Sequence, residues 1–380
     1  MSQLVVGRRS IGARFAAGET SGFDYMRLSL SVLVMLWHTF AVVWGERGVT
    51  PEWYQLFMRM VLPLFFALSG FLVAFSLERI QHLPTFGLLR ALRILPALGV
   101  EILLSALILG PILTTVALST YFTHPEFFRY FLNTVGWIHY DLPGVFRDNP
   151  VPWVNRSLWT VPFELECYVL LAGLYLLGMY RRTWMLVAAL VALSAFCLWY
   201  YRDYSYADAP LVPGRLLIAY FLAGNIVCKL RDRLPGGLLA AACALAVGWL
   251  MLTNVAATIM LSPLVVAYAS AALGCLAPRK LPIIFTGDYS YGLYLYAFPV
   301  QQTVYSVFRS DSILENFLIS LAATSLFAAF SWHFIEKPIL GLKKRLIPKS
   351  WSRSDAKSPP AGQVATPPVG NAAPEQANAN

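Results

Sequence analysis

Ten runs of mostly apolar residues recur along the chain, at 24–45, 57–77, 92–113, 158–179, 183–201, 213–230, 236–253, 257–277, 288–308 and 313–335. Each approaches the ~20 residues with which an α-helix crosses about 30 Å of hydrocarbon. In hydrocarbon every backbone N–H and C=O must be bonded within the protein, so runs of this kind permit helices and little else. The expected fold is all-α, a polytopic membrane bundle of about ten transmembrane helices. Composition agrees: of 380 residues 58% are hydrophobic and 13% charged, against about a quarter charged in soluble domains.

Charge orients the runs, because Lys and Arg collect in short cytoplasmic loops. Arg8, Arg9 and Arg14 precede the first run, Arg79, Arg90 and Arg93 lie around the second junction, and Arg181 and Arg182 follow the fourth run. Lys229, Arg231 and Arg233 follow the sixth, Arg279 and Lys280 the eighth, and Lys343, Lys344 and Arg345 the tenth. The opposite junctions carry acids such as Glu46, Glu52, Asp203 and Asp208. An even helix count with both termini cytoplasmic satisfies this pattern. The net charge of +9 is then explained by topology and requires no nucleic-acid partner.

The expected organisation is a cytoplasmic segment over 1–22, a transmembrane domain over 23–345 and a disordered cytoplasmic tail over 346–380, whose Pro, Ala, Ser, Gln and Asn cannot build a core. Residues 1–21 hold no apolar stretch followed by a small-residue cleavage site, so the first run is expected to insert uncleaved. Cys167, Cys197, Cys228, Cys243 and Cys275 all fall inside runs with no Cys-x-x-Cys spacing, which reads as packing rather than a disulfide framework or a metal site. The 114–157 loop is long and aromatic, with Tyr121, Phe127, Tyr130, Trp137, Tyr140 and Trp153 among its rings. Such a loop is expected to be ordered, its rings serving as sugar-stacking faces or as interfacial anchors.

Arg27 and His38 stand within the first run, and ionisable side chains at bilayer depth usually mark function. Eleven residues are about three helical turns, so both side chains share a face roughly 16 Å apart along the axis. Snorkelling and a helix–helix hydrogen bond are the bland alternatives. Arg90 and Arg93, three residues apart, also share a face, and paired guanidiniums suit phosphate as well as they suit a topological anchor. Glu164 and Glu166 lie two apart, so only one can turn inward. Pro162 fits the first turn of their helix. Ser69-Gly70 permits close helix approach. Asp288 to Tyr296 is a tyrosine-rich helix start, and Phe334-Ile335-Glu336-Lys337-Pro338 reads as a helix stop with a local salt bridge.

Taken in order, these segments resemble the acyltransferase-3 family of integral membrane O-acyltransferases, over about residues 23–345. The resemblance rests on Arg27-x10-His38, Arg90-x-x-Arg93, Phe65-Phe66-x-Leu68-Ser69-Gly70-Phe71, Ser157-Leu158-Trp159-Thr160-x-x-x-Glu164-x-x-x-Tyr168 and Phe334-Ile335-Glu336-Lys337-Pro338. It departs at Ala297, where the family often carries a second His, and the family's additional soluble module is not expected.

The resemblance implies transfer of an acyl group, typically acetyl, from acyl-CoA to a hydroxyl of a carbohydrate, at a bacterial inner membrane. Acetyl-CoA is then a co-substrate, with no tightly bound cofactor and no metal. His38 is the expected base, or alternatively carries a transient acyl group; Arg27 is expected to stabilise developing charge, and Arg90 and Arg93 to hold donor phosphates. Glu164 is expected to position the acceptor, supported by Trp159, Tyr168 and Ser69, with Glu164 and the 114–157 loop on the far side from the arginines. The competing reading is a transporter or flippase of a glycan or lipid-linked intermediate. Its usual mark, a repeated half with matching broken helices, is not evident.

Overall fold

A computed structural model of the chain describes residues 9–45, 52–203, 212–254, 258–281 and 287–342. The tail at 346–380, Glu46 and Asp208 lie outside them. The elements are α1 (Ile11–Ala16), α2 (Ser21–Trp44), α3 (Glu52–Ile80), α4 (Leu83–Leu104), α5 (Leu118–Thr123), α6 (Pro125–Tyr130), α7 (Val161–Leu176), α8 (Thr183–Tyr200), α9 (Gly214–Leu230), α10 (Leu238–Thr253), α11 (Ser262–Gly274), α12 (Ser290–Phe308) and α13 (Ile313–Phe330). A π turn, Ser105–Leu109, carries α4 on to Leu113, and a second, Ser331–Glu336, carries α13 on to Gly341.

Among the described residues, six helices are long and apolar enough to cross a membrane: Ser21–Trp44, Phe57–Ile80, Leu83–Leu113, Arg156–Leu176, Thr183–Tyr200 and Ile313–Gly341. The remaining expected runs are helical but shorter or less apolar, so the structure supports a multi-pass protein with six candidate spans among the described residues.

Surface polarity matches the solvent that a membrane supplies. On α13 the inward stripe is Asn316, Ser320, Thr324 and Ala328, while Leu318, Leu326 and Phe330 face outward. Small and polar residues between helices with large apolar ones outside is the arrangement lipid favours. At the centre, α9 is buried from Leu216 to Cys228 against α3. A Cβ on Gly70 would meet the Phe221 carbonyl oxygen at 2.0 Å, and one on Gly224 would meet the Ala67 oxygen at 2.3 Å. The Ser-Gly pair thus brings two backbones together. Four of the cysteines are buried as expected, whereas Cys243 faces outward from α10.

Long-range contacts gather the basic junctions at one end. Ile11 and Gly12 donate backbone hydrogen bonds to Leu234 and Arg231, Tyr25 donates to the Arg279 carbonyl, and Lys229 and Arg231 both pair with Glu78. At the other end the 114–157 loop folds on itself. Tyr121, Tyr130, Leu142, Val145 and Val154 are fully buried there, and the Asn133 side chain bonds Tyr130 and both backbone groups of His139 at 2.8 Å. Tyr121 donates to the Ala106 carbonyl at 2.7 Å, satisfying a backbone group in the π turn of α4, where the regular ladder is interrupted. Trp137 and Phe128 turn outward.

Candidate active site

The arginines sit where they do because α2, α4 and α12 all begin at the basic end. Arg27 pairs with Asp24 at 2.8 Å and with Asp288 at 3.1 Å. Asp288 also takes Arg93 at 2.7 Å, and Arg93 reaches Glu336 at 2.8 Å. Ser290 donates to Asp288, and Ser331 to Glu336. The chain Asp24–Arg27–Asp288–Arg93–Glu336 thus ties four helices through alternating charges. Glu336 does not close a local salt bridge with Lys337; the π turn swings it inward, 2% exposed, to Arg93.

Beside this chain lies a cavity of about 150 Å³, lined by Arg27, Ser69, Arg90, Arg93, Glu164 and Tyr168, with Thr160, Tyr291 and Tyr294 beyond. Arg90 differs from Arg93: it has no carboxylate within ion-pair distance among the described residues, its Nε is buried without a partner, and its guanidinium lies over the Phe86 ring at 5.9 Å. Tyr168 donates to Glu164 at 2.6 Å. Glu166 is exposed on the opposite face of α7, as the two-residue spacing requires. Trp159 is not a lining residue; it packs edge-on against Phe163. Glu164 therefore does not stand on the far side from the arginines but shares their cavity, because α7 runs from the 114–157 loop toward them.

His38 is 5% exposed and is not among the lining residues of this cavity. Its Nδ1 lies 3.4 Å from Ser157 Oγ, and its ring meets Phe298 edge-on at 5.1 Å. Arg27 and His38 thus share a helix, as the spacing implied, but enter different surroundings. Between them stands a hydroxyl partition: Tyr294 Oη donates to the Ser157 carbonyl at 2.6 Å and lies 2.5 Å from Thr160 Oγ1. Asp288, Ser157 and Tyr294 occur within segments singled out from sequence, but nothing local in their spacing revealed these partners. Ala297, in the place of the family's second His, is buried on α12.

The comparisons agree in direction. The family model described as an acyltransferase domain matches residues 20–336. The chain is similar to an O-acetyl transferase of Shigella phage Sf6, with 25% identity over 327 residues that cover 85% of this chain and 96% of the relative. It is also similar to Nodulation protein 10 of Rhizobium leguminosarum bv. viciae, with 27% identity over 368 residues, 89% of this chain and 98% of the relative. No solved structure gives a significant match. A family match across most of the helical bundle, joined to a buried histidine and a cation-lined cavity in one fold, establishes that the chain belongs to the acyltransferase-3 family and is an acyltransferase.

Proposed function

We propose that the protein transfers an acyl group, acetyl in the first instance, from cytoplasmic acyl-CoA to a hydroxyl of a surface or exported carbohydrate, working in a bacterial inner membrane with ten spans and both termini inside. One observation carries the reading. The cavity is lined at the basic helix starts by Arg90, whose guanidinium has no ion pair among the described residues, and meets a hydroxyl partition whose other side is His38. The phage relative's name adds the O-acetyl chemistry.

A cavity of about 150 Å³ is smaller than the ~300 Å³ from which pockets for drug-sized ligands begin. It suits the acyl-thioester arm, leaving the nucleotide at the mouth. Arg90 takes donor phosphate or the thioester oxygen, while Arg27 and Arg93, held by carboxylates, shape the wall and its potential. Movement of Tyr294 and Thr160 joins the cavity to His38. The His38 imidazole then accepts the acceptor hydroxyl's proton as that oxygen bonds to the thioester carbonyl carbon. The C–S bond breaks, the thiolate takes the proton back from His38, and ester and free coenzyme A leave. Glu164 and Tyr168, inside the donor cavity, position the donor's reactive end rather than the acceptor.

The test uses oriented proteoliposomes with acetyl-CoA on the Arg90 side and a carbohydrate acceptor on the other. Free coenzyme A should accumulate on the Arg90 side and acetylated acceptor opposite it, with both lost in well-expressed His38→Ala protein. Acetylation by His38→Ala protein at the wild-type rate removes the histidine from the mechanism, and movement of unmodified acceptor without thioester cleavage removes the transferase reading for this site.

A further inference from the structure

Behind His38 a line of buried side chains leads away from the donor cavity to a carboxyl group that the mechanism does not use. Glu101, in α4, is 1% exposed. Its Oε1 accepts from Ser105 Oγ at 2.8 Å and from Asn155 Nδ2 at 2.9 Å. The second proton of Asn155 Nδ2 goes to the Leu295 carbonyl at 2.9 Å. That carbonyl lacks its usual helical donor, because residue 299, four positions on, is a proline with no N–H. Asn155 Oδ1 in turn accepts from the Ser157 backbone N–H at 3.0 Å. Flipping this amide would set its oxygen against two acceptors, the Glu101 carboxyl and the Leu295 carbonyl, so its orientation is fixed by its partners. Ser157 Oγ completes the line at His38 Nδ1.

We propose that Glu101 is a positioning residue for His38, acting through Asn155 and Ser157. The proposal rests on the reading of His38 as the base. Glu101 and the Leu295 carbonyl lock Asn155; Asn155 holds the turn that carries Ser157; Ser157 Oγ stands 3.4 Å from His38 Nδ1, where it accepts that nitrogen's proton in the tautomer a base at Nε2 requires. With that proton kept on Nδ1, the lone pair on Nε2 is the one left to receive the acceptor's hydroxyl proton. Among the described residues Ser157 is the one hydrogen-bond partner of the His38 ring, so moving it disturbs both the ring plane and the balance between tautomers. The arrangement also separates the work of two carboxyl groups, Glu164 in the donor cavity and Glu101 behind the base. The second oxygen of Glu101, Oε2, has no partner among the described residues, so an amide in place of the carboxyl keeps the acceptor that faces Asn155.

The experiment measures transfer from acetyl-CoA by the full chain in detergent or vesicles, for E101L, E101Q, S157A and the E101L/S157A double variant. E101L should lower kcat by roughly tenfold, the scale at which partners that orient a functional histidine act, with KM for acetyl-CoA within about twofold because the donor cavity is untouched. E101Q should recover most of that rate. The double variant should be no slower than S157A alone, since the two groups act in series. In ¹⁵N-histidine spectra, the resonance absent from His38→Ala protein should shift toward the other tautomer in E101L and stay in place in E101Q. Should E101L fail to fold, N155A breaks the same line and carries the same readouts. Additive losses in the double variant, or an unmoved His38 resonance in a folded line-breaking variant, overturn the proposal. Wild-type protein that transfers nothing from acetyl-CoA, while its His38 resonance still responds to E101L, overturns the donor reading and keeps the positioning line.

Discussion

Two arginines three residues apart on one helix carry different burdens. Arg93 is locked between Asp288 and Glu336, and Glu336 has almost no access to solvent. Arg93→Ala leaves that carboxyl uncompensated, which costs about 3–5 kcal/mol for a buried pair broken on one side. Loss of folded protein in a detergent melting assay should therefore precede any kinetic effect. Arg90→Ala breaks no ion pair among the described residues, so it should fold normally and raise KM for acetyl-CoA, with Lys restoring part of the affinity because it lacks the planar fork. Unchanged donor affinity in folded Arg90→Ala protein returns that residue to a purely topological role. The sequence made the two look equivalent, since the carboxylate partners that set Arg93 apart lie 195 and 243 positions away and no local spacing encodes such pairs.

Helices track the sequence closely because their apolar runs leave the backbone no other way to satisfy itself. The inward choice of Glu164 over Glu166, Pro162 at a helix start and the order of the 114–157 loop were all legible for that reason. Less legible were the two π turns, which add a residue to a turn and rotate the rest of the helix about its axis: the pattern at Phe334 to Pro338 marked a helix end but not the inward swing of Glu336. The Ser69-Gly70 pair reads in the sequence as a packing device, with Ser69 also a supporting site residue, and in the structure Gly70 meets α9 while Ser69 lines the cavity. Gly70→Ala tests the packing part. With a carbonyl oxygen 2.0 Å from the new Cβ, α3 and α9 must separate, and overpacking of this kind costs about 1–3 kcal/mol. A clear fall in the unfolding midpoint is expected, and a midpoint equal to wild type shows that the two helices can part at no cost.

On the scale of the whole molecule, the family match, the six spans and the gathered basic junctions describe one body with a cationic end and an ordered aromatic lobe at the other. The candidate base lies between them. Its surroundings could not be foreseen from Arg27 and His38 alone, because the groups that enclose His38 come from the turn Arg156–Thr160 before α7 and from α12, more than a hundred residues away in the chain.

The partition of Thr160, Tyr294 and Ser157 matters for the membrane as an electrical insulator. A protein that passes acyl groups across a bilayer must not also pass a file of water, since a continuous file conducts protons and dissipates the gradient that the membrane maintains. Three groups drawn together by bonds of 2.5 and 2.6 Å leave little room for such a file. Tyr294→Ala, which empties the partition, should make vesicles lose an imposed pH gradient faster than vesicles with wild-type protein, and equal decay rates would place the seal elsewhere. On the proposed route Tyr294 would serve as a valve, its ring parting from Ser157 to let the acyl group through and closing again to keep the proton gradient.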